Sequence, residues 1–440
     1  MRKGVKALGR TVIVLLGLGA AILAYYVVQF VRLPDPSAEA DLPVAAAQAE
    51  LAGAKDVGVL IEPIRKRYKM PALAVAAVKD GKTVLLGAVG ARRAGGNERV
   101  TVNDQFHLGS CTKSITATLC AILIQQGKLR WESTIGELFA DQIDKISPAF
   151  RTVTLDQLLT HRSGLPVDLV PDPTLWPRIW ALSGPMLDQR RKFIELVLAQ
   201  KPTAAPGEKF QYSNAGYIIA GAMCERVTGK TWEDLIREHL FAPLKMTTAG
   251  FGPPNSAGKV DQPWGHIVSG QLWKSIPPGL WADNPAVFGP AGTVHCSMGD
   301  WAKYAAFHLR GARGEESTLP KEVFHKLYTP APDGPEHYSY GWMIADLGWA
   351  GGKALTHMGS NEMWMASIYG WLIADRGWAG DKALWHTGTN RIWMAVIWLA
   401  PERNAALMAA TNVGSNLGFL GCDAAISKMV KAAGLEEKAK

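Results

Sequence analysis

A chain of 440 residues is long enough for one large domain or two moderate ones, and 48% apolar with 20% charged residues is the make-up of a globular protein with a good core. The net charge of +8 is modest, part of it lies in Arg2, Lys3, Lys6 and Arg10, and no basic stripe is interleaved with aromatics, which argues against a nucleic-acid partner. The five cysteines, at 111, 120, 224, 296 and 422, form no C-x-x-C pair, so neither a zinc cluster nor a disulfide framework is indicated.

The first element is Thr11–Val31, 21 residues without a charge. As a helix it is about 32 Å long, enough to cross a bilayer. Four basic residues precede it, which keeps residues 1–10 cytoplasmic and exports the rest. We expect a single-pass transmembrane signal-anchor at 11–31 in a bacterial inner membrane and a tether rich in Pro, Ala and Asp at 32–53. A domain at 54–435 would then stand in the periplasm or outside the cell. Ala38-Glu39-Ala40 offers the alternative of cleavage as a signal peptide.

The domain opens on a hairpin signal. Ala72–Val78 and Thr83–Val89 are apolar and β-rich, and Asp80-Gly81 between them is a favoured two-residue turn. A helix follows, with Ile115, Leu119, Ile122 and Leu123 at helical spacing and Gly127 as its stop. From about 130 to 330 the pattern is mostly helical, broken by long loops. Thr154 caps one helix there, and Thr231 with Asp234 and Ser297 with Asp300 read as capping boxes. Strand signals return near Tyr340. Val396–Ala400 and Ala405–Ala410 flank Pro401-Glu402-Arg403-Asn404 as a hairpin, and a last helix spans about Asn416–Ala432. Strands at both ends around a helical middle predict an α+β fold: an antiparallel sheet from both termini, flanked by helices, with an inserted, mostly helical subdomain.

Three polar clusters carry chemistry. In Phe106-His-Leu-Gly-Ser-Cys-Thr-Lys-Ser114, Ser110 and Lys113 stand three apart at a helix start, so the amine lies beside the hydroxyl. A serine nucleophile needs such a base and a place that tolerates an oxyanion, which a helix N-terminus favours. The spacing alone is weak, since Ser256 and Lys259 share it in a Pro/Gly-rich loop. In Gln211-Tyr-Ser-Asn-Ala215, Tyr212 beside a lysine can accept a proton, and Asn214 offers an amide to a substrate carbonyl. Taken alone, that cluster reads equally as an Asx-type cap with a half-buried tyrosine. His386-Thr387-Gly388 lies in a β context, where the glycine lets a substrate approach; a buried strand-end histidine is the bland alternative.

Together, S-x-x-K, Y-x-N and [K/H]-T-G in this order resemble the serine β-lactamase and penicillin-binding-protein superfamily, in the branch with class C β-lactamases, D-alanyl-D-alanine carboxypeptidases and esterases. Leu158-Leu-Thr-His-Arg-Ser-Gly164, Gly229-Lys-Thr-Trp-Glu-Asp234, Pro243-Leu-Lys-Met246 and Gly289-Pro-Ala-Gly-Thr293 are similar to the same branch, over residues 55–432 in all. The resemblance implies an acyl-enzyme on Ser110, with Lys113 and Tyr212 handling its proton and Asn214 orienting the acyl group. His386 and Thr387 would meet a substrate carboxylate, and the backbone N–H groups of Ser110 and Thr389 the oxyanion. Water, activated by Tyr212, would release the acyl group; no metal or cofactor is called for.

The chain departs from that pattern in one place. Residues 340–368 and 369–397 align without gaps, with 20 identities in 29 positions, a duplication old enough to have diverged. Each copy holds about three strand-like pieces, and an odd number sends a simple meander into the second copy pointing the wrong way. One copy, or a hybrid, must supply the sheet while the rest bulges out. The second copy keeps His386-Thr387-Gly388, where the first has His357-Met358-Gly359, so the second is expected to work. A histidine in place of the lysine of many relatives is only partly charged at neutral pH, which leans toward peptidase or esterase chemistry.

Of sixteen tryptophans, Trp176, Trp180, Trp264, Trp273 and Trp281 fall in loop-rich stretches and suit either an apolar acyl pocket or ordinary packing. Cys111 reads as a small packed side chain. The expected protein is a membrane-anchored serine hydrolase acting on a small-molecule or peptide substrate, a cell-wall muropeptide among them. D-alanyl-D-alanine carboxypeptidase or esterase activity leads and β-lactamase activity comes next. A non-catalytic penicillin-binding or sensor protein is the rival outside enzymes.

Overall fold

Ala72–Lys79 carries no polar residue before its last position, and that sets the architecture: a strand apolar on both sides has to be covered on both sides. The structure, a computed structural model, describes residues 53–435 except 168–171, 173, 270–271, 280, 316–317, 333, 335–337, 347–352, 356–372, 376–381 and 390–391. The expected membrane segment and His357-Met358-Gly359 therefore lie outside the described residues. Among the described residues no helix is long and apolar enough to cross a membrane.

The main sheet has eight strands: β1 (Lys55–Asp56), β2 (Ala72–Lys79), β3 (Lys82–Gly90), β4 (Tyr338–Ser339), β5 (Trp342–Asp346), β6 (Lys382–Thr389), β7 (Met394–Ala400) and β8 (Ala405–Thr411). Their order is β1-β3-β2-β8-β7-β6-β5-β4, so the two ends of the domain meet at β2 and β8 in the middle of the sheet. Apart from the β1–β3 pair, every neighbour is antiparallel. The β2–β3 turn is the one foreseen, with Asp80 and Gly81 both at positive φ.

Side chains alternate along each strand. Ala72, Ala74, Ala76 and Val78 face one core with Ile115, Leu119, Ile122 and Leu123 of the helix Thr112–Gln125. Leu73, Val75 and Ala77 face a second core, closed by Ile61 and Ile64 of the helix Gly58–Arg67 and by Cys422, Ile426 and Met429 of the helix Asn416–Ala432. The result is an α+β fold of three layers, helix, sheet and helix.

The middle of the chain is mostly helical but also holds strands that the sequence pattern did not reveal. Gly250–Phe251 and Val294–Ser297 form a three-stranded sheet with Gln105–His107, and Gly265–Ser269 pairs with Leu272–Ile276. Two of these pieces are too short to show a period, and their partners lie far off in sequence. The capping expectations hold by halves. Thr154 makes a full box with Gln157. Ser297 accepts from Asp300 N, but the Asp300 carboxylate turns to Thr248 N at 2.6 Å rather than back to the cap.

The duplication is resolved as a hybrid. β5 comes from the first copy and β6 from the second, paired Met343↔Trp385 through Asp346↔Lys382. Lys353–Leu355 of the first copy pairs with Ile373–Asp375 of the second. The copies are offset so that Ile373 matches Ile344 and Leu355 matches Leu384. Leu355↔Ile373, Ala354↔Ala374 and Lys353↔Asp375 thus repeat, pair by pair, the register of Ile344↔Leu384, Ala345↔Ala383 and Asp346↔Lys382. Each copy's first strand is matched with the other copy's second strand. The parity problem disappears because the surplus strands pair with each other outside the main sheet.

Two predictions follow from this architecture. Deleting residues 347–375 joins β5 to the second copy's own lead-in to β6, and should leave a cooperatively folded protein melting within about 4 °C of the parent. A broad, non-cooperative melt by circular dichroism would show that the surplus pair is needed.

The second concerns acid. His266 donates from Nδ1 to Asn412 O at 2.8 Å and accepts from Ala94 N at 2.9 Å, while His308 meets Tyr328 Oη at 2.7 Å. Burial pushes His266 and His295 down to about 4 and His308 to about 3. Below about pH 6.5 the unfolded chain binds protons that the native chain refuses, so protonation favours unfolding. Stability should fall from about pH 6.5 to about pH 4, by on the order of 1.4 kcal/mol per pH unit for each histidine. Urea midpoints flat across that range would contradict it.

Candidate active site

Ser110 stands in the short turn Gly109–Cys111, which leads directly into the helix Thr112–Gln125. Gly109 has φ +51°, a conformation costly for any residue with a Cβ, and it swings the chain from strand to helix. The turn is held from behind. Leu108 N donates to Val294 O at 2.8 Å, and Gly109 N donates to His107 Nδ1 at 3.1 Å. An accepting Nδ1 puts the ring proton on Nε2, which meets Asp283 Oδ2 at 2.9 Å. The loop bearing Asp283 is thereby tied to the residue next to Ser110.

Lys113 is fully buried, whereas Ser110 is partly open to solvent. Its Nζ lies 2.9 Å from Ser110 Oγ, 2.8 Å from Asn214 Oδ1 and 2.8 Å from Ala291 O. The Tyr212 ring centroid is 4.9 Å away. The first two clusters read from the sequence therefore meet at one nitrogen. The third acceptor was not foreseen as such: Gly289-Pro290-Ala291-Gly292 presents a carbonyl to the lysine and a second, Pro290 O, to Thr116 Oγ1 at 2.7 Å.

The loop before the helix Asn214–Thr228 is gripped on both sides of Tyr212. Gln211 N donates to His161 O at 2.7 Å, Ser213 N donates to His161 Nδ1 at 3.1 Å, and the His161 and Tyr212 rings lie 4.3 Å apart. Ser213 does not cap the helix; its hydroxyl donates to Pro166 O at 3.1 Å.

His386, Thr387, Gly388 and Thr389 lie on β6, which packs along the Ser110 turn. Gly388 pairs with Ala395 and Thr389 with Met394. Cys111 Sγ sits 3.8 Å from Ala395 O, which fixes where the turn meets the sheet. Burial pushes the Cys111 thiol well above its ordinary range, so the cysteine serves as packing. The strand that runs along the Ser110 turn is thus the second copy's.

The first copy contributes what sequence reading missed. Tyr340 and Gly341 turn β4 into β5 with φ of +25° and +86°. A Cβ on Gly341 would fall 2.4 Å from Ser114 N and 2.6 Å from Ser114 Cα, so the strand runs against the backbone of the catalytic helix. The tryptophans divide. Trp273 is core, Trp176 stacks on Phe288, and Trp264 lies under Arg93 at 5.7 Å. Trp180 and Trp281 pair with each other near the surface, 5.2 Å between centroids.

Comparison with known proteins agrees with this arrangement. The sequence matches the family described as Beta-lactamase over residues 59–424. It is 28% identical over 249 residues to "Penicillin-binding protein 4" of Amycolatopsis lactamdurans, a match covering 56% of this chain and 62% of that one. It is 27% identical over 273 residues to an unguisins hydrolase of Aspergillus campestris, covering 59% of this chain and 47% of that one. The chain thus spans about half to three-fifths of the length of these relatives. Among solved structures, the octameric penicillin-binding protein homologue from Pyrococcus abyssi superposes with a TM-score of 0.62 at 22% identity, over 86% of this chain and 76% of its own.

Gly341→Ala should show how closely β5 must approach. It places a methyl group against Ser114 and a side chain at positive φ, and should cost at least about 2 kcal/mol in urea unfolding. A cost within about 0.5 kcal/mol, the range of ordinary surface changes, would mean that the strand can draw back.

Proposed function

The chain belongs to the Beta-lactamase family, and from that premise we propose that it is a serine hydrolase opening amide or ester bonds through an acyl-enzyme on Ser110. One observation carries the reading: a buried lysine whose nitrogen touches the serine hydroxyl while two further acceptors hold it in place. The contacts to Asn214 Oδ1 and Ala291 O aim the Lys113 amine at the Ser110 hydroxyl, and in its neutral form that amine takes the serine proton.

Ser110 Oγ, relieved of its proton by Lys113, attacks the substrate carbonyl. The backbone N–H groups of Ser110 and Thr389 receive the oxyanion. As the tetrahedral adduct collapses, Tyr212 gives a proton to the departing amine or alcohol and Lys113 restores it, so the serine proton ends on the leaving group. Deacylation runs the other way. Tyr212 passes its proton to Lys113 as it takes one from water, the hydroxide attacks the ester, and Lys113 returns its proton to Ser110 Oγ. With Oδ1 engaged by Lys113, the Nδ2 end of Asn214 is the end that meets the acyl carbonyl.

His386 and Thr387 on β6 meet a substrate carboxylate. A partly charged imidazole suits D-alanyl-D-alanine carboxypeptidase-like or esterase action on a peptide, a muropeptide included, better than β-lactamase action. The relatives named above as a penicillin-binding protein and as a hydrolase support that range of substrates. The uncharged stretch Thr11–Val31 behind four basic residues supports a bacterial inner-membrane anchor with this domain on the outer side.

Intact mass after incubation with a fluorescent penicillin tests the reading. The wild type should gain one adduct that Ser110→Ala lacks, and Lys113→Met should acylate at least about 100-fold more slowly. Rapid Ser110-dependent loss of the penicillin without an adduct would point to a β-lactamase. Neither adduct nor turnover of penicillin or p-nitrophenyl esters would leave a non-catalytic sensor as the better description.

A further inference from the structure

Among the described residues, Trp281 is the largest apolar side chain left exposed, at 72%, while Trp232, Trp301, Trp342, Trp393 and Trp398 are fully buried. Its exposure is built in. Ala282 beside it is buried, Ala282 N donates to Gly279 O at 3.0 Å, and Asp283 is bonded to His107. Trp180 closes the helix Leu175–Trp180, which is fastened by buried Leu175 and Ile179 and by the stack of Trp176 on Phe288. The half-buried Trp180 and the exposed Trp281 thus stand together at the surface, an arrangement with an energetic cost for Trp281 unless something covers it.

Each of the two segments is fixed to the catalytic centre. Trp281 is two residues from Asp283, so its Cα lies within about 7 Å of that anchor. Asp283 in turn holds His107, and His107 holds Gly109 next to Ser110. Trp180 reaches the same place from the other side, through Trp176 and Phe288 to the helix Gly289–Gly292, whose Ala291 O receives Lys113. On the Tyr212 side, Val167 is also exposed, at 42%, next to Pro166, whose carbonyl receives Ser213 Oγ.

We propose that Trp180 and Trp281 form an aromatic subsite of this active site that takes an aromatic or other bulky apolar side chain of the substrate. The proposal rests on the serine-hydrolase reading and narrows its substrates to acyl groups or residues carrying such a side chain. A ring laid against the indole pair removes apolar area from both partners and gains from offset stacking. A methyl group in its place gains almost nothing.

Ester hydrolysis by the full chain tests it, with p-nitrophenyl phenylacetate and p-nitrophenyl acetate as probes. The quantity read is the ratio of their kcat/KM values. Trp281→Ala should lower that ratio roughly tenfold, mostly through KM, and Trp281→Phe should restore most of it. A melting curve like the parent's shows that the variants are folded. If the wild type cleaves both esters and the ratio does not move in Trp281→Ala or Trp180→Ala, the subsite is wrong and the hydrolase stands. If the wild type cleaves neither and gains no penicillin adduct on Ser110, the hydrolase reading has failed; if it gains the adduct, that reading stands. The subsite is then judged by quenching of tryptophan fluorescence with phenylacetate, which must saturate in the wild type and vanish in Trp281→Ala.

Discussion

An amine with no access to water has to be given partners by the protein, and Lys113 is such an amine. Leaving it unpaired would cost several kcal/mol, whether it is charged or merely unsatisfied. Its three acceptors come from three parts of the chain: Ser110 from its own turn, Asn214 from the start of a helix a hundred residues on, and Ala291 from a short helix further still. The lysine can be buried only if all three arrive together. The same requirement gathers Ser110, Asn214 and Ala291 around one nitrogen.

What stands behind those acceptors is correspondingly stiff. Buried Arg190 is bonded to Glu225 and, at 3.0 Å, to Glu233, and reaches Val287 O just ahead of the segment that presents Ala291. Burial alone would raise Glu225, and Arg190 opposes that shift. His107 supports the serine side and His161 the tyrosine side, each by accepting at Nδ1 the backbone N–H of the residue next to Ser110 or Tyr212.

The duplication shows how a sheet absorbs surplus chain. Because the two copies kept the same strand pattern, either first strand fits either second strand in the same register. β6 is held beside β7 by the continuous run into β7 and β8, and β5 is held by Tyr340-Gly341 against the helix at Ser114. These two anchors lie in different copies. The surplus strands between them are left with each other, and the register repeat lets them pair.

Much of this was legible in the sequence because it is local. The Asp80-Gly81 hairpin, the hairpin around Pro401–Asn404, the last helix and the Ser110–Lys113 spacing depend on neighbours within a few residues, and each appears where the pattern put it. The tertiary structure alone decided the rest. Ala291 is an ordinary alanine whose carbonyl matters, Gly341 is one of two identical glycine positions, and Asp283 gains its role from a histidine far upstream. Trp281 is one tryptophan among sixteen until the fold buries others and leaves it exposed against Trp180. Periodicity and spacing record what a residue does to its neighbours along the chain; they carry no mark of which distant backbone it will touch.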